Sequence, residues 1–148
     1  MFRYWWLDGE VAFSMAPPEI ELDGLAEVFN AVVVLVEEFE LPYSLEEWKK
    51  RGVKVLHSPI EDFTAPSLGQ LLEILQWIGA RVREGKRVLI HCMGGLGRSG
   101  TVAVAWLMYS KNLRLREALR RVRSLRPGAV ETSEQMEVLW ELQEFLKR

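Results

Sequence analysis

Residues 87–100 read RVLIHCMGGLGRSG, and this stretch decides how the rest of the chain is interpreted. The apolar run RVLI predicts a buried strand. The glycine-rich segment after it contains the only cysteine of the chain, Cys92, and an arginine, Arg98. TVAVAWLMYS, residues 101–110, predicts a mostly buried helix. A strand, a glycine loop and a helix in this order are typical of an α/β fold that binds a ligand at the carboxyl end of the strand.

The flanking segments extend this pattern over the whole chain. Apolar runs predict further strands at FRYWWL and VAFSM near the N-terminus, at AVVVLVE (31–37) and at VKVLHS (53–58). Helical spacing of apolar residues predicts helices near residues 18–29, 44–52, 67–84, 113–126 and 133–148. We therefore predict a single α/β domain over residues 1–148, with a central, mostly parallel sheet of about five strands flanked by helices.

The composition limits the class of protein. The chain has 148 residues, of which 49% are hydrophobic, enough for one domain with its own core. There is neither an apolar run of membrane-spanning length nor a signal-peptide pattern, which predicts a cytoplasmic protein that does not act in a membrane. One cysteine and two histidines predict no disulfide, no metal site and no cofactor. Few Asn and Gln beside many charged residues are typical of a thermophilic source such as a thermophilic archaeon.

The net charge of −2 hides an uneven distribution along the chain. Residues 4–48 contain eleven Asp or Glu and no Lys or Arg, whereas residues 49–148 contain eighteen basic and ten acidic side chains, a net charge of +8. The cysteine loop lies in the basic part, which favours an anionic ligand. Attraction between the two parts of the fold explains the same distribution equally well.

Three interpretations of the loop compete. Gly95, Gly97 and Gly100 spell the dinucleotide-binding pattern G-x-G-x-x-G, but the following strand with an acidic residue is replaced by the basic helix REALRRVRSLR. The Lys-Ser/Thr pair of a triphosphate-binding loop is also absent. A purely structural connector explains the glycines but not Arg98, because a charged arginine is costly to bury without an anion.

The third interpretation uses every residue of the loop. Glycines allow the backbone to curl so that successive N–H groups and a helix N-terminus face one small anion. Arg98 is suited to hold two phosphoryl oxygens, and the same positive surroundings stabilise a Cys92 thiolate. We therefore predict that the loop binds phosphate and that Cys92 attacks it. The predicted substrate-binding residues are Met93, Gly94, Gly95, Leu96, Gly97 and Arg98.

The motif His91-Cys92, five residues, Arg98-Ser99-Gly100-Thr101 resembles the signature of the cysteine-dependent protein tyrosine phosphatase superfamily. The short chain is similar to its small, atypical dual-specificity members, and the flanking elements extend the resemblance over nearly the whole chain. The resemblance implies a phosphocysteine intermediate, with Cys92 as the nucleophile and Arg98 as the phosphate clamp.

A phosphatase of this kind also needs a proton donor for the leaving oxygen. The segment SPIEDFTAPS follows the strand VKVLH and contains two candidates, Glu61 and Asp62. Spacing alone does not rank these neighbours, but the pattern PI-x-D followed by proline resembles the general-acid loop of the family. The resemblance therefore implies that Asp62 is the general acid and base.

Other candidate residues have weaker support. Ser99 is expected to donate a hydrogen bond to the cysteine sulfur, and the resemblance implies that His91 orients the Cys92 backbone. Glu131 and Gln135, at the start of the last helix, match a region that positions water or lines the pocket in the family. Tyr43 is expected either to border the cleft and stack on an aromatic substrate or to pack in the core.

The sequence thus predicts a phosphoprotein phosphatase that acts on phosphotyrosine and on phosphoserine or phosphothreonine. It predicts phosphorylated proteins as partners, no nucleic acid and a monomer. The MGGLG segment contains no lysine, which argues against highly charged lipid headgroups. The alternatives are a phosphatase for a non-protein phosphate monoester and a G-x-G-x-x-G nucleotide-binding protein.

Overall fold

The computed structural model describes residues 2–147, which form a five-stranded sheet covered by helices. The strands are β1 (Tyr4–Trp6), β2 (Val11–Ser14), β3 (Ala31–Val34), β4 (Lys54–His57) and β5 (Val88–His91). Their order across the sheet is β1-β2-β5-β3-β4, with β1 antiparallel to β2 and all other neighbours parallel. The predicted fold class, an α/β fold with a mostly parallel sheet of about five strands, is confirmed.

Helices cover the sheet and set its burial. They are α1 (Leu22–Val28), α2 (Glu46–Lys49), α3 (Leu68–Arg83), α4 (Arg98–Lys111), α5 (Leu115–Leu125) and α6 (Ser133–Leu146). Every residue of β2, β3 and β5 is buried, which explains their unbroken apolar sequences. Helix α4 is buried from Arg98 to Met108 and packs against the sheet, α3, α5 and α6. A helix that is apolar on all sides requires such a central place.

Strand β3 is shorter than the predicted strand at residues 31–37. Leu35 and Val36 remain fully buried, but the chain leaves the regular ladder after Val34. The Leu35 N–H donates to the His91 carbonyl at 3.0 Å, and the Leu35 carbonyl accepts from the Ile60 N–H at 2.9 Å. Leu35, just beyond β3, is therefore hydrogen-bonded both to the end of β5 and to the loop after β4.

The parallel arrangement brings four loops to one edge of the sheet. Strands β2, β3, β4 and β5 all end there, and residues 15–18, 35–45, 58–67 and 92–97 follow them. This edge is where α/β proteins bind their ligands. Among the described residues, no helix has the length and hydropathy needed to cross a membrane.

Candidate active site

The loop between β5 and α4 surrounds the Cys92 sulfur with hydrogen-bonding groups. Cys92 is 2% exposed, and its Sγ accepts a hydrogen bond from the Gly95 N–H at 3.3 Å. The Ser99 hydroxyl lies 3.2 Å from Sγ, at hydrogen-bonding distance. This hydroxyl is also 3.4 Å from the Ser14 carbonyl at the end of β2. The Ser99 hydroxyl therefore lies close to the sulfur, and its role as a donor to the sulfur stays a prediction.

Two of the loop glycines are required by close contacts. Gly95 has φ +75°, and a Cβ there would lie 2.8 Å from the Met15 backbone nitrogen. A Cβ on Gly97 would collide with the carboxylate of Glu131 and the side-chain amide of Gln135. The loop therefore wraps tightly between the end of β2 and the start of α6 only because these positions lack side chains.

Arg98 is the most strongly held side chain of the site. It is 2% exposed, and its two terminal nitrogens each donate to a Glu40 carboxylate oxygen at 2.9 Å. Nη1 also donates to the Ile60 carbonyl at 2.9 Å. Burial disfavours the charged guanidinium, but the Glu40 hydrogen bond and the nearby negative groups outweigh burial and raise the pKa of Arg98. The hydrogen bond from Arg98 in turn lowers the pKa of Glu40.

Glu40 is a site residue that the sequence analysis missed. A partial signal was present, because a buried arginine needs a counter-charge and the acidic segment EEFE follows β3 at the same sheet edge. A short 3₁₀ turn, Glu38–Glu40, determines which of these acidic side chains reaches Arg98. The Glu37 N–H also donates to the Glu40 carboxylate at 2.8 Å and holds it in place. That local geometry was not readable from the pattern.

We expect the Glu40→Gln variant to lose stability and activity together. A glutamine keeps the shape but turns a donor toward the guanidinium, leaving a buried positive charge without its partner at a cost of about 3 kcal/mol. The Arg98 fork should loosen, and kcat/KM for a small aryl phosphate should fall about 10- to 100-fold. Denaturant unfolding and steady-state kinetics check both effects. Glu38→Gln, an exposed change in the same turn, is the control, and equal behaviour of the two variants would contradict the assignment.

Of the two candidate proton donors, Asp62 and Glu61, only Asp62 lies at the pocket that contains Cys92. Asp62 lines the same pocket as Cys92, its side chain is 52% exposed, and Oδ1 lies 3.4 Å from Arg98 Nη2. Glu61 is exposed and does not line this pocket. Asp62 Oδ1 accepts from the Phe63 N–H at 3.0 Å, and Phe63 adopts an unusual φ of +63°. The local backbone thus turns the Asp62 carboxylate toward the loop.

The pocket itself is small and open to one side. Its volume is about 220 Å³. Phe63 and Met93 are 62% and 41% exposed, so its mouth has an apolar rim. The lining residues are Asp62, Phe63, Cys92, Met93, Gly94, Leu96, Gly97, Arg98 and Glu131. Gly95, a predicted substrate-binding residue, does not line this pocket, and its N–H donates to the Cys92 sulfur.

Glu131 reaches the pocket from a constrained segment before α6. Val130 adopts φ +66°, which is unfavourable for a β-branched residue. Its N–H donates to the Leu96 carbonyl at 2.9 Å, and its carbonyl accepts from Arg123 at 3.1 Å. Arg123, which belongs to the basic helix REALRRVRSLR of the sequence analysis, therefore helps to direct Glu131 toward the Cys92 loop.

Gln135 does not line the pocket and is fully buried. Its Oε1 accepts from the Glu131 and Thr132 N–H groups at 2.8 and 3.2 Å, while its Nε2 donates to the Thr64 carbonyl at 3.1 Å. The expectation that Gln135 positions water or lines the pocket is wrong, because its side chain is enclosed by backbone. Instead it ties the start of α6 to the loop that carries Asp62.

Tyr43 and the two histidines lie outside the pocket. Tyr43 is 9% exposed and its hydroxyl donates to the Pro17 carbonyl at 2.6 Å, so of its two expected places the structure has Tyr43 packed in the core. Burial, with the Glu19 charge, raises the pKa of Tyr43 to about 12. His57 Nε2 is 2.7 Å from the Val36 carbonyl, as expected for a structural role. His91 is fully buried, with Nδ1 3.2 Å from the Cys92 carbonyl.

We expect His91 to make stability fall on mild acidification. Burial lowers the pKa of His91 from 6.5 to about 4; the Cys92 carbonyl opposes this shift and the Arg98 charge adds to it. Between these values the unfolded chain takes up a proton that the folded protein excludes, so the free energy of unfolding should drop by up to about 3 kcal/mol as the pH falls. Denaturant unfolding between pH 7.5 and 4.5 measures the slope. His91→Gln should flatten the slope and His57→Gln should keep it; an unchanged slope in His91→Gln would refute the assignment.

Two structural absences bear on the alternatives. Within residues 2–147, no strand follows β5, so the dinucleotide-binding unit suggested by G-x-G-x-x-G is not formed. In the same residues, no cluster of three or more His, Cys, Asp or Glu side chains is arranged to hold a metal ion.

Comparison with known proteins finds similar sequences and similar solved structures. Rat (Rattus norvegicus) cyclin-dependent kinase inhibitor 3 is 30% identical over 131 residues, which are 86% of this chain and 62% of the rat protein. This chain thus spans less than two thirds of that relative. The crystal structure of Tk-PTP in the active form is 73% identical with a TM-score of 0.94, covering 95% of this chain and 96% of that one.

A second solved structure, PTPMT1 in complex with PI(5)P, is 28% identical with a TM-score of 0.89, covering 96% of this chain and 95% of that one. The family model described as dual specificity phosphatase, catalytic domain, matches residues 20–145. The match includes the Cys92 loop, the Asp62 loop and all of the sheet except β1 and β2. The chain therefore belongs to the dual specificity phosphatase catalytic-domain family.

Proposed function

We propose that the protein is a phosphoprotein phosphatase that hydrolyses phosphotyrosine and phosphoserine or phosphothreonine monoesters through a phosphocysteine intermediate. The observation that carries this proposal is the convergence of Cys92, Arg98 and Asp62 on one pocket. These side chains supply a nucleophile, a fixed positive charge and a proton donor, which are the three groups that ester cleavage needs. Membership of the family supports the same reaction.

In the first step, the Cys92 thiolate attacks phosphorus and the bond between phosphorus and the ester oxygen breaks. The departing oxygen takes the proton of Asp62, because an alcohol leaves far more easily than an alkoxide. Loop N–H groups and the start of α4 stabilise the charge on the phosphoryl oxygens. The products of this step are the free hydroxyl and a phosphocysteine.

In the second step, water attacks phosphorus and the phosphorus–sulfur bond breaks. Asp62, now ionised, takes a proton from the water, and inorganic phosphate leaves. The Ser99 hydroxyl, 3.2 Å from the sulfur, donates a hydrogen bond that helps the thiolate to depart. Glu131 lines the same pocket and supports this step by accepting a hydrogen bond from the water.

Arg98 retains a free edge for phosphate although Glu40 occupies two of its nitrogens. A guanidinium has five N–H donors, and the contacts at 2.9 Å to Glu40 and Ile60 use three of them. The Nε–H and the second Nη2–H lie side by side and form none of these three hydrogen bonds, although Asp62 Oδ1 lies 3.4 Å from Nη2. These two N–H groups are suited to bind two phosphoryl oxygens. Glu40 thus holds one edge of the Arg98 guanidinium, and the other edge binds the substrate.

The pocket dimensions favour acceptance of both ester types. Asp62 and Phe63 are exposed and line a pocket of about 220 Å³. Phe63 and Met93 are positioned to contact the ring of phosphotyrosine, a contact worth about 0.5–1.5 kcal/mol. We therefore infer a dual activity with a preference for phosphotyrosine.

We expect the protein to release phosphate from a phosphotyrosine peptide and, about 2- to 10-fold more slowly, from the same peptide with phosphoserine. The measurement is phosphate release in the presence of a metal chelator, which should have no effect. Phe63→Ala is the matched variant: it should reduce the preference for phosphotyrosine without removing phosphoserine turnover. Failure to release phosphate from either peptide would overturn the proposal.

A lipid phosphate monoester is the second candidate substrate, because the similar PTPMT1 structure contains PI(5)P. The phosphate loop of this chain has no lysine, and two carboxylates, Asp62 and Glu131, line the pocket. Both features disfavour a ligand with several phosphates. Phosphate release from PI(5)P that exceeds release from phosphopeptides would favour this candidate. Action on phosphoproteins in the cytoplasm as a monomer, without nucleic acid, stays a prediction.

A further inference from the structure

A second groove lies beside the phosphate pocket, on the β1 side of the loop. Its volume is about 490 Å³, larger than that of the pocket. Apolar and positively charged side chains line it, among them Arg3, Trp5, Met15, Pro18 and Arg126. The phosphate pocket holds little more than a phosphoryl group and part of one side chain. The rest of a peptide substrate must therefore lie on the surface around it.

Two contacts join this groove directly to the phosphate loop. The Ala16 N–H donates to the Met93 carbonyl at 2.9 Å, which brings the exposed Met15 next to the exposed Met93 at the pocket rim. The Arg126 Nη2 donates to the Gly94 carbonyl at 3.2 Å. A chain that leaves the pocket over Met93 thus enters the groove without crossing another element.

Charged side chains line both the groove and the phosphate pocket. Arg126 is half-buried, with its guanidinium 5.1 Å from the centre of the Trp5 ring, and Arg3 is exposed at the groove. Across the described residues, neither arginine forms an ion pair with a carboxylate, although Glu21 also lines the groove. The phosphate pocket itself is lined by the carboxylates of Asp62 and Glu131 and by the buried Arg98. Among the residues that line the two sites, Arg98 is the positive charge of the pocket, and Arg3 and Arg126 are the positive charges that a neighbouring part of the same ligand meets in the groove.

We propose that this groove binds the residues next to the phosphorylated residue of a peptide substrate and selects an acidic side chain there. Arg126 and Arg3 attract the carboxylate, while Trp5 and Met15 contact the apolar part of the neighbouring residues. The stacked Arg126 is held in place by Trp5 and Gly94, so little side-chain freedom is lost on binding. This inference rests on the proposed phosphoprotein phosphatase activity and adds a sequence preference to it.

The test is a set of phosphotyrosine peptides in which one glutamate is moved from three residues before to three residues after the phosphotyrosine. Each peptide is compared with the same peptide containing glutamine. At one or more positions, glutamate should raise kcat/KM about 3- to 20-fold over glutamine, as expected for a partly exposed charge pair. The ratio should shrink as salt is added.

Two variants connect the preference to the groove. Arg3→Glu and Met15→Glu add negative charge there without changing the lining of the phosphate pocket, so hydrolysis of para-nitrophenyl phosphate should stay within about twofold of wild type. Both should abolish or reverse the preference for glutamate. Arg116→Glu, an exposed change of the same charge on α5, is the control and should keep it.

Equal cleavage of glutamate and glutamine peptides would overturn the inference, and so would a glutamate preference that survives in both groove variants. These results are distinct from a failure of the proposed function. If the protein hydrolyses para-nitrophenyl phosphate but no phosphopeptide, the proposed phosphoprotein phosphatase activity is refuted. A preference for peptides with lysine would also refute the proposed role of the groove, because it would show that the carboxylates of Asp62 and Glu131 determine the sequence preference.

Discussion

The Cys92→Ser variant is expected to lose essentially all turnover of para-nitrophenyl phosphate, a decrease of about 10⁴-fold or more. The sulfur is the proposed nucleophile, and the Gly95 N–H and the Ser99 hydroxyl lie within 3.3 Å and 3.2 Å of it at the start of α4. A serine hydroxyl at the same place holds its proton far more tightly and is a poor nucleophile without a base. Steady-state kinetics with excess chelator measure the loss.

Binding of phosphate should survive this substitution, since Arg98 and the loop N–H groups remain. Inorganic phosphate should therefore raise the melting temperature of wild type and Cys92→Ser by similar amounts. An Arg98→Lys variant should fold but lose this response, because lysine lacks the two-pronged geometry. A Cys92→Ser variant that retains turnover would refute the nucleophile.

The covalent intermediate gives a direct check on the same assignment. Rapid acid quenching of the reaction with ³²P-labelled substrate should leave the label on the peptide that contains Cys92. Ser99→Ala should increase the amount trapped, because thiolate departure then lacks its hydrogen bond and the second step slows. Label on any other side chain would contradict the mechanism.

The Asp62→Asn variant should lose about 10²- to 10⁴-fold in kcat for phosphoserine peptides, whose leaving oxygen needs a proton. The loss should be much smaller for aryl phosphates with an acidic leaving group, because those alcohols depart as anions. The expectation follows from the Asp62 position at the pocket mouth, 3.4 Å from Arg98. A series of aryl phosphates with leaving groups of graded pKa measures the dependence.

Glu61→Gln is the matched control for Asp62, because it removes the same type of charge one residue away from the pocket. Gln135→Glu tests the positioning of the loop: a carboxylate cannot donate to the Thr64 carbonyl, so the tether breaks. This variant should show a loss of about tenfold with the same leaving-group dependence as Asp62→Asn. A loss that is uniform over all leaving groups would show that Gln135 acts on stability alone.

The sequence predicted the fold through patterns that are local. Continuous apolar runs identified β3 and β5, apolar spacing identified α3, and the loop between β5 and α4 followed from the glycines around Cys92. Such features arise from backbone conformation and burial within a dozen residues. The resemblance to phosphatases added Asp62, which spacing could not separate from Glu61.

The sequence patterns did not determine the places of Tyr43 and Gln135, because both side chains form hydrogen bonds with residues distant in sequence. Tyr43 follows β3 at the correct edge of the sheet, but its hydroxyl pairs with Pro17, 26 residues earlier. Gln135 begins α6 near the pocket, but its amide is used by the backbone of residues 64, 131 and 132. No period or composition encodes such pairs.

The sequence alone determined the α/β fold of this chain, and it predicted a phosphate-binding loop with Cys92 as nucleophile and Arg98 as clamp, because these inferences depend on short-range backbone and residue chemistry. Only the tertiary structure decided that Glu40 fixes Arg98, 58 residues away, and that Arg123 and Val130 direct Glu131. It also brought Arg3 and Arg126 to one groove. The physical reason is that a buried charge takes whatever counter-charge the packing of the sheet edge brings near, and that packing depends on the whole chain.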